Sequence, residues 1–104
     1  EQQLNIDQTT LPESFTIYQN YPNPFNPVTT IRYSIRKAGL VSISVYSLKG
    51  SWVNDLVRDY HSIGEYNVQW NGDDELGKQV PAGIYFYRFI SDGRVQNKKM
   101  IFAK

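Results

Sequence analysis

Ile84-Tyr85-Phe86-Tyr87-Arg88-Phe89-Ile90, then Ser91-Asp92-Gly93-Arg94, then Val95-Gln96-Asn97-Lys98-Lys99-Met100-Ile101-Phe102 is the stretch that decides the fold class. Its first run is apolar or aromatic on both faces except at Arg88, the pattern of a strand covered on both sides within a sheet. Gly93, between Ser91 and Arg94, supplies the backbone freedom of a tight hairpin. The second run is therefore predicted to fold back against the first, with Lys98 and Lys99 breaking its apolar pattern. Outward from this hairpin the same period of two recurs. Phe15 and Ile17 alternate with Thr16 and Tyr18; Ile31, Tyr33 and Ile35 with Thr30, Arg32 and Ser34; Val41, Ile43 and Val45 with Ser42, Ser44 and Tyr46. Tyr66, Val68 and Trp70 alternate with Asn67 and Gln69, and Trp52 to Val57 is a weaker apolar run broken by Asn54 and Asp55. Alternation of this kind places one set of side chains on one sheet face. Glycines fall between the runs, and no stretch keeps a helical apolar period for three turns. About seven short antiparallel strands at this spacing predict an all-β, immunoglobulin-like sandwich.

The chain has 104 residues, enough for one domain with a single core. Eight Tyr, five Phe and two Trp, with 20% charged residues, exclude a disordered tail. Net charge is +1, so nothing in the balance calls for nucleic acid. The absence of cysteine removes disulfides, thiol catalysis and Cys-containing metal sites, and a single histidine, His61, leaves one imidazole base. No apolar run is long enough to span a bilayer as a helix. Residues 1–13 are polar and read as a linker from an upstream domain, leaving the folded domain at 14–104. Arg94 to Lys104 holds four basic residues and no acid, so the remainder sums to −3.

Tyr21-Pro22-Asn23-Pro24-Phe25-Asn26-Pro27 is the most unusual segment. Its prolines fix φ and remove backbone donors, so neither a helix nor a central strand runs through it. Asn23 and Asn26 precede prolines and are driven towards extended backbone, with side chains suited to local Asx turns. A stiff connector with Phe25 in the core is preferred to a ligand for a proline-binding groove. The loop Asn71 to Lys78 echoes a calcium loop at Asn71, Asp73 and Glu75. It has Leu76 where an EF-hand needs Gly and Ala82 where it needs a bidentate Glu, so a solvated hairpin tip without metal is expected. Ser62 adjoins His61, but neighbours on a strand face opposite ways, and no acid is placed to orient the ring. Asp73 and Asp74 would need a cleft that a sandwich of this length seldom encloses. No catalysis and no cofactor are therefore expected. Tyr18, Tyr46, Trp52, Tyr60, Phe86 and the Tyr85/Tyr87 pair either pack the core and sheet faces, the preferred reading, or form a stacking platform for polysaccharide.

Tyr21-Pro22-Asn23-Pro24-Phe25-Asn26-Pro27 with Thr29-Thr30-Ile31 resembles the opening of the type A C-terminal sorting domains of the type IX secretion system. Val45-Tyr46-Ser47-Leu48-Lys49-Gly50 is similar to their tyrosine-and-glycine turn, with Ser47 where Asn is usual and Lys49 where Gln is common. Trp70-Asn71-Gly72-Asp73-Asp74-Glu75-Leu76-Gly77-Lys78 resembles their WNG loop, and Pro81-Ala82-Gly83-Ile84-Tyr85-Phe86-Tyr87-Arg88 their PxGxYFYR step. Lys98-Lys99-Met100-Ile101 and Lys104 resemble the closing motif. The likeness runs from Leu11 to Lys104.

The resemblance implies an Ig-like sandwich related to that of the flagellar hook-capping protein, and a function in addressing. A cargo domain covalently linked at the N-terminal side would be exported across the inner membrane to the periplasm, then to the outer-membrane surface or beyond. The implied partners are the type IX translocon and a surface sortase, with attachment to the cell surface in some members. Lys98, Lys99, Met100, Ile101 and Lys104 are the expected recognition residues, on an edge strand whose lysines deter promiscuous pairing. Tyr21 to Pro27, Trp70, Asn71, Gly72, Gly83 and Tyr85 are the expected structural motif. The competing expectation is a carbohydrate- or cell-wall-binding accessory module, which an exposed row of coplanar rings would favour.

Overall fold

A computed structural model describes residues 14–104; the expected linker at residues 1–13 lies outside the described residues. Seven strands follow in order: β1 (Phe15–Ile17), β2 (Thr29–Ile35), β3 (Gly39–Ser47), β4 (Trp52–His61), β5 (Gly64–Trp70), β6 (Gly83–Ser91) and β7 (Arg94–Phe102). They form a three-stranded sheet, β1-β2-β5, and a four-stranded sheet, β4-β3-β6-β7, every pairing antiparallel. This is an immunoglobulin-like sandwich in which the fourth strand hairpins onto the third. In the constant-type arrangement it would instead join the first, second and fifth.

The period of two has its physical outcome in the core. Val41, Ile43 and Val45 on β3 are buried, as are Ile31, Tyr33 and Ile35 on β2 and Tyr85, Tyr87 and Phe89 on β6. The doubly apolar β6 lies between β3 and β7, as its sequence requires. Its hairpin to β7 turns on Asp92 and Gly93 with φ of 53° and 69°, the two positive values of a type I′ turn. β4 is where alternation fails. Its pairing with β3 skips a residue between Ser44 and Ile43 and again between Val45 and Tyr46. Each bulge shifts the inward face by one residue, so the period is lost although the backbone ladder continues to His61. β6 also opens on a tyrosine corner: the Tyr85 hydroxyl donates to the Pro81 carbonyl at 2.6 Å, pinning the connection that crosses between sheets.

The registers give the sandwich two distinct ends. At one, Ser14 accepts backbone bonds from Arg36 and Lys37, and Lys37 pairs with Asp92 at 3.0 Å beside the β6–β7 turn. At the other lie the Pro22–Pro27 loop, the loops after Trp70 and Tyr46, and the end of β7. The first described residue and Lys104 are therefore at opposite ends. Four sequence-distant motifs share the second end.

Candidate recognition surface at the C-terminal end of the sandwich

Phe25 is the only buried residue of Tyr21–Pro27, with 2% of its surface exposed, whereas Tyr21 is 78% exposed. The Tyr21–Pro22, Asn23–Pro24 and Asn26–Pro27 bonds are all cis. Phe25 stacks on Phe102 at 5.1 Å and 8°, and tilts against Trp70 at 5.6 Å. Trp70 meets Tyr85 edge-on at 5.3 Å, so four aromatic residues from the loop, β5, β6 and β7 form one cluster. Trp70 Nε1 donates to the Asp73 carbonyl at 2.9 Å, folding the following loop back over the ring. Gly72 closes the cluster. Its φ is +69°, and a Cβ there would sit 2.8 Å from the Phe102 ring, so only glycine fits.

The proline-rich loop also clasps β7 along its outer edge. Ile101 N–H donates to Asn23 Oδ1 at 2.9 Å, Phe25 N–H to the Ile101 carbonyl at 3.0 Å, and Ala103 N–H to the Phe25 carbonyl at 2.9 Å. Gln19 Nε2 donates to the Lys99 carbonyl at 2.7 Å. The side chain of Asn23 thus reaches a residue 78 positions away instead of making a local Asx turn, which corrects the sequence expectation. An asparagine beside proline fits either arrangement, and only the proximity of β7 selects one.

Behind the clasp is a polar knot that sequence reasoning missed. Asn20 is 2% exposed and Thr29 fully buried. Asn20 Nδ2 donates to Thr29 Oγ1 at 2.9 Å, and both residues donate to the Pro22 carbonyl. Asn20 N–H donates to the Tyr87 hydroxyl, which in turn donates to the Tyr18 carbonyl, each at 2.8 Å. Burial pushes the Tyr87 phenol up to about 12. The available signal was the polar Asn20 directly before the proline run and a Tyr at an inward position of β6.

The expected recognition residues separate cleanly. Lys99, Ile101 and Lys104 are exposed and Lys98 is half-buried. Met100 is fully buried, so it is a core residue and presents no side chain to a partner, a correction that follows from its inward position in the β7 alternation. Gly83 and Asn71 stand at the ends of the connections that frame Trp70 and Tyr85, with Asn71 exposed.

The other candidate features find structural roles. Asp74 Oδ1 accepts from the Leu76 and Lys78 amides at 2.9 Å each, closing the 71–78 loop on itself. Among the described residues no group of three His, Cys, Asp or Glu side chains converges on a common point. His61 Nε2 bonds the Tyr33 hydroxyl at 2.8 Å, and Ser62 Oγ lies 3.2 Å from the Tyr66 hydroxyl, so the two do not pair with each other. The aromatics do not form one platform. Tyr85 and Tyr87 are buried, and Trp52, Tyr46 and Phe86 lie side by side across the outer face of the larger sheet. Tyr46 there is covered by the Arg88 guanidinium at 4.7 Å.

Residues 19–103 match the sequence profile of the secretion system C-terminal sorting domain family. The chain belongs to that family. It is a type IX secretion sorting domain, and membership implies secretion to the cell surface or the extracellular space. No curated protein sequence matches it. Its fold is similar to part of dimeric latent PorU from Porphyromonas gingivalis, with TM-score 0.68 and 23% identity over 88% of the sorting domain. The sorting domain spans 10% of the PorU chain. FlgD from P. aeruginosa is similar at TM-score 0.53 and 18% identity, covering 85% of the sorting domain and 71% of FlgD. At these identities the two likenesses concern the fold.

Proposed function

We propose that the sorting domain is read as a folded surface at its C-terminal end by the type IX translocon. A cargo attached through residues 1–13 would trail from the opposite end. The observation that carries this reading is the convergence of the proline-rich loop, the Trp70 loop, the Tyr85 corner and β7 on one end. That convergence holds the backbone from Lys99 to Ala103 while leaving the side chains of Lys98, Lys99, Ile101 and Lys104 at or near the surface. The address is non-catalytic, passes through the periplasm and hands the cargo to a surface sortase. A polysaccharide-binding role is the weaker reading, because Arg88 already occupies the face of Tyr46.

The test fuses the domain to a periplasm-directed reporter in a host with type IX secretion. Lys98→Glu with Lys99→Glu should hold the reporter in the periplasm while the purified domain melts close to wild type. Lys99 is exposed, Lys98 is half-buried and the ion pairs among the described residues involve neither, and such changes usually stay within about 0.5 kcal/mol. Deleting Met100 to Lys104 is a poor substitute. It removes Met100 and Phe102 from the core and confounds export with unfolding. Normal export of the charge-reversed domain overturns the assignment of this surface.

A further inference from the structure

The clasp covers only part of β7. In the β6–β7 ladder, Ser91 pairs with Arg94 across a two-residue turn, so even-numbered residues of β7 bond to β6 and odd-numbered residues direct N–H and C=O outward. Outward groups at Lys99, Ile101 and Ala103 meet Gln19, Asn23 and Phe25. Among the described residues, no partner meets the outward backbone groups of Val95 and Asn97 or the Lys99 N–H. β7 is an edge of its sheet, and Val95 is 57% exposed. The unclasped half is thus a short open template beside Arg94, Lys98 and Lys99, with no acid on β7.

The geometry points to β-strand addition on Val95–Lys99 by an extended acidic segment of a partner protein. This deepens the proposed function and rests on it. Main-chain bonds to Val95, Asn97 and Lys99 would give the pairing its register, and carboxylates at alternate positions would answer Lys98 on one face of β7 or Lys99 on the other. A second copy of the chain is disfavoured, because pairing β7 with itself sets Arg94, Lys98 and Lys99 against their own charge. The Pro22–Phe25 loop limits the incoming strand by occupying the next positions along the edge.

The experiment uses the full nitrogen-labelled chain and a short capped peptide alternating Val and Glu, with a Val/Lys peptide as control. Without peptide, the Ile101 and Ala103 amides should exchange slowly and those of Val95 and Asn97 rapidly. The acidic peptide should slow Val95, Asn97 and Lys99 selectively, and added salt should weaken it. Asn97→Pro removes an outward donor that the β6 ladder does not use, a position an edge strand tolerates. It should weaken the acidic peptide at least tenfold. Lys98→Glu with Lys99→Glu should do the same without touching the backbone, which keeps the test valid if the proline variant fails to fold. Protection elsewhere, equal binding of the Lys peptide, or protection of Val95 and Asn97 by a concentration-dependent dimer each overturns the inference. A wild-type reporter that is exported while the acidic peptide protects nothing refutes strand addition alone. A wild-type reporter that is not exported refutes the sorting-surface reading beneath it.

Discussion

Phe25→Ala and Tyr21→Ala, two ring truncations within one motif, should have opposite consequences. Phe25 is buried between Phe102 and Trp70, and its own backbone supplies two of the bonds to β7. Truncating a buried Phe costs about 3–5 kcal/mol, through lost transfer energy and an incompletely filled cavity. The rigid prolines on either side restrict collapse of the loop into that cavity, which favours the upper half of the range. Domains of this size are stable by roughly 5–15 kcal/mol, and each kcal/mol moves the melting temperature by about 4–8 °C. Phe25→Ala should therefore melt roughly 15–40 °C lower by that conversion, or fail to fold. Tyr21 is 78% exposed, and its truncation should stay within about 0.5 kcal/mol. Urea titration followed by Trp fluorescence gives both values, and an unchanged slope confirms the same unfolding transition. Amide exchange at Ile101 and Ala103 reports the clasp, and should accelerate in Phe25→Ala more than the global loss of stability explains. A loss below about 1 kcal/mol in Phe25→Ala, or an equal loss in Tyr21→Ala, refutes the division of the motif into anchor and exposed face.

Gly72→Ala should cost about 1–3 kcal/mol from overpacking against Phe102, with the positive φ adding to it; a midpoint equal to wild type in urea contradicts the close approach. Burial raises the phenols of both Tyr33 and Tyr87 to about 12, against about 10 unfolded. The unfolded chain therefore loses these protons first. Stability is full below pH 10, falls between about pH 10 and 12 by roughly 3 kcal/mol per group, and levels off above. Tyr87→Phe should remove its share of that slope in urea midpoints taken across the window, and a pH-independent midpoint in wild type refutes the argument. Asp55 is held below the usual carboxylate range chiefly by the Ser44 hydroxyl, with Trp52 and Arg58 assisting. Its contribution is present above the unfolded carboxylate pKa and is lost as pH falls through the lower folded value. Asp55→Asn should flatten the acid limb of the stability profile.

Part of this protein is legible in its residues alone. Val41, Ile43 and Val45 had to share a face because strand side chains alternate, and the doubly apolar Ile84–Ile90 had to lie inside a sheet. The Asp92-Gly93 turn followed from its residues, and the five motifs in order carried the family. β4 was under-read because its two bulges break the alternation on which strand recognition depends, while its backbone ladder needs no particular side chains. Local rules likewise point to Asn23 as a turn former, and only the resemblance of the closing motif set Met100 among the recognition residues.

What the sequence determined by itself is everything set by neighbours along the chain: strand faces, turn positions, the stiffness of the proline run and the basic character of β7. What only the tertiary structure decided is which of those features meet. Asn23 reaches Ile101, Phe25 stacks on Phe102, Gly72 yields space to the same ring, and Asn20 ties the loop to Tyr87. Each contact joins residues separated by tens of positions. It exists because antiparallel pairing and three crossings between the sheets bring one end of every strand to a common place, a consequence of topology that no local window of residues contains.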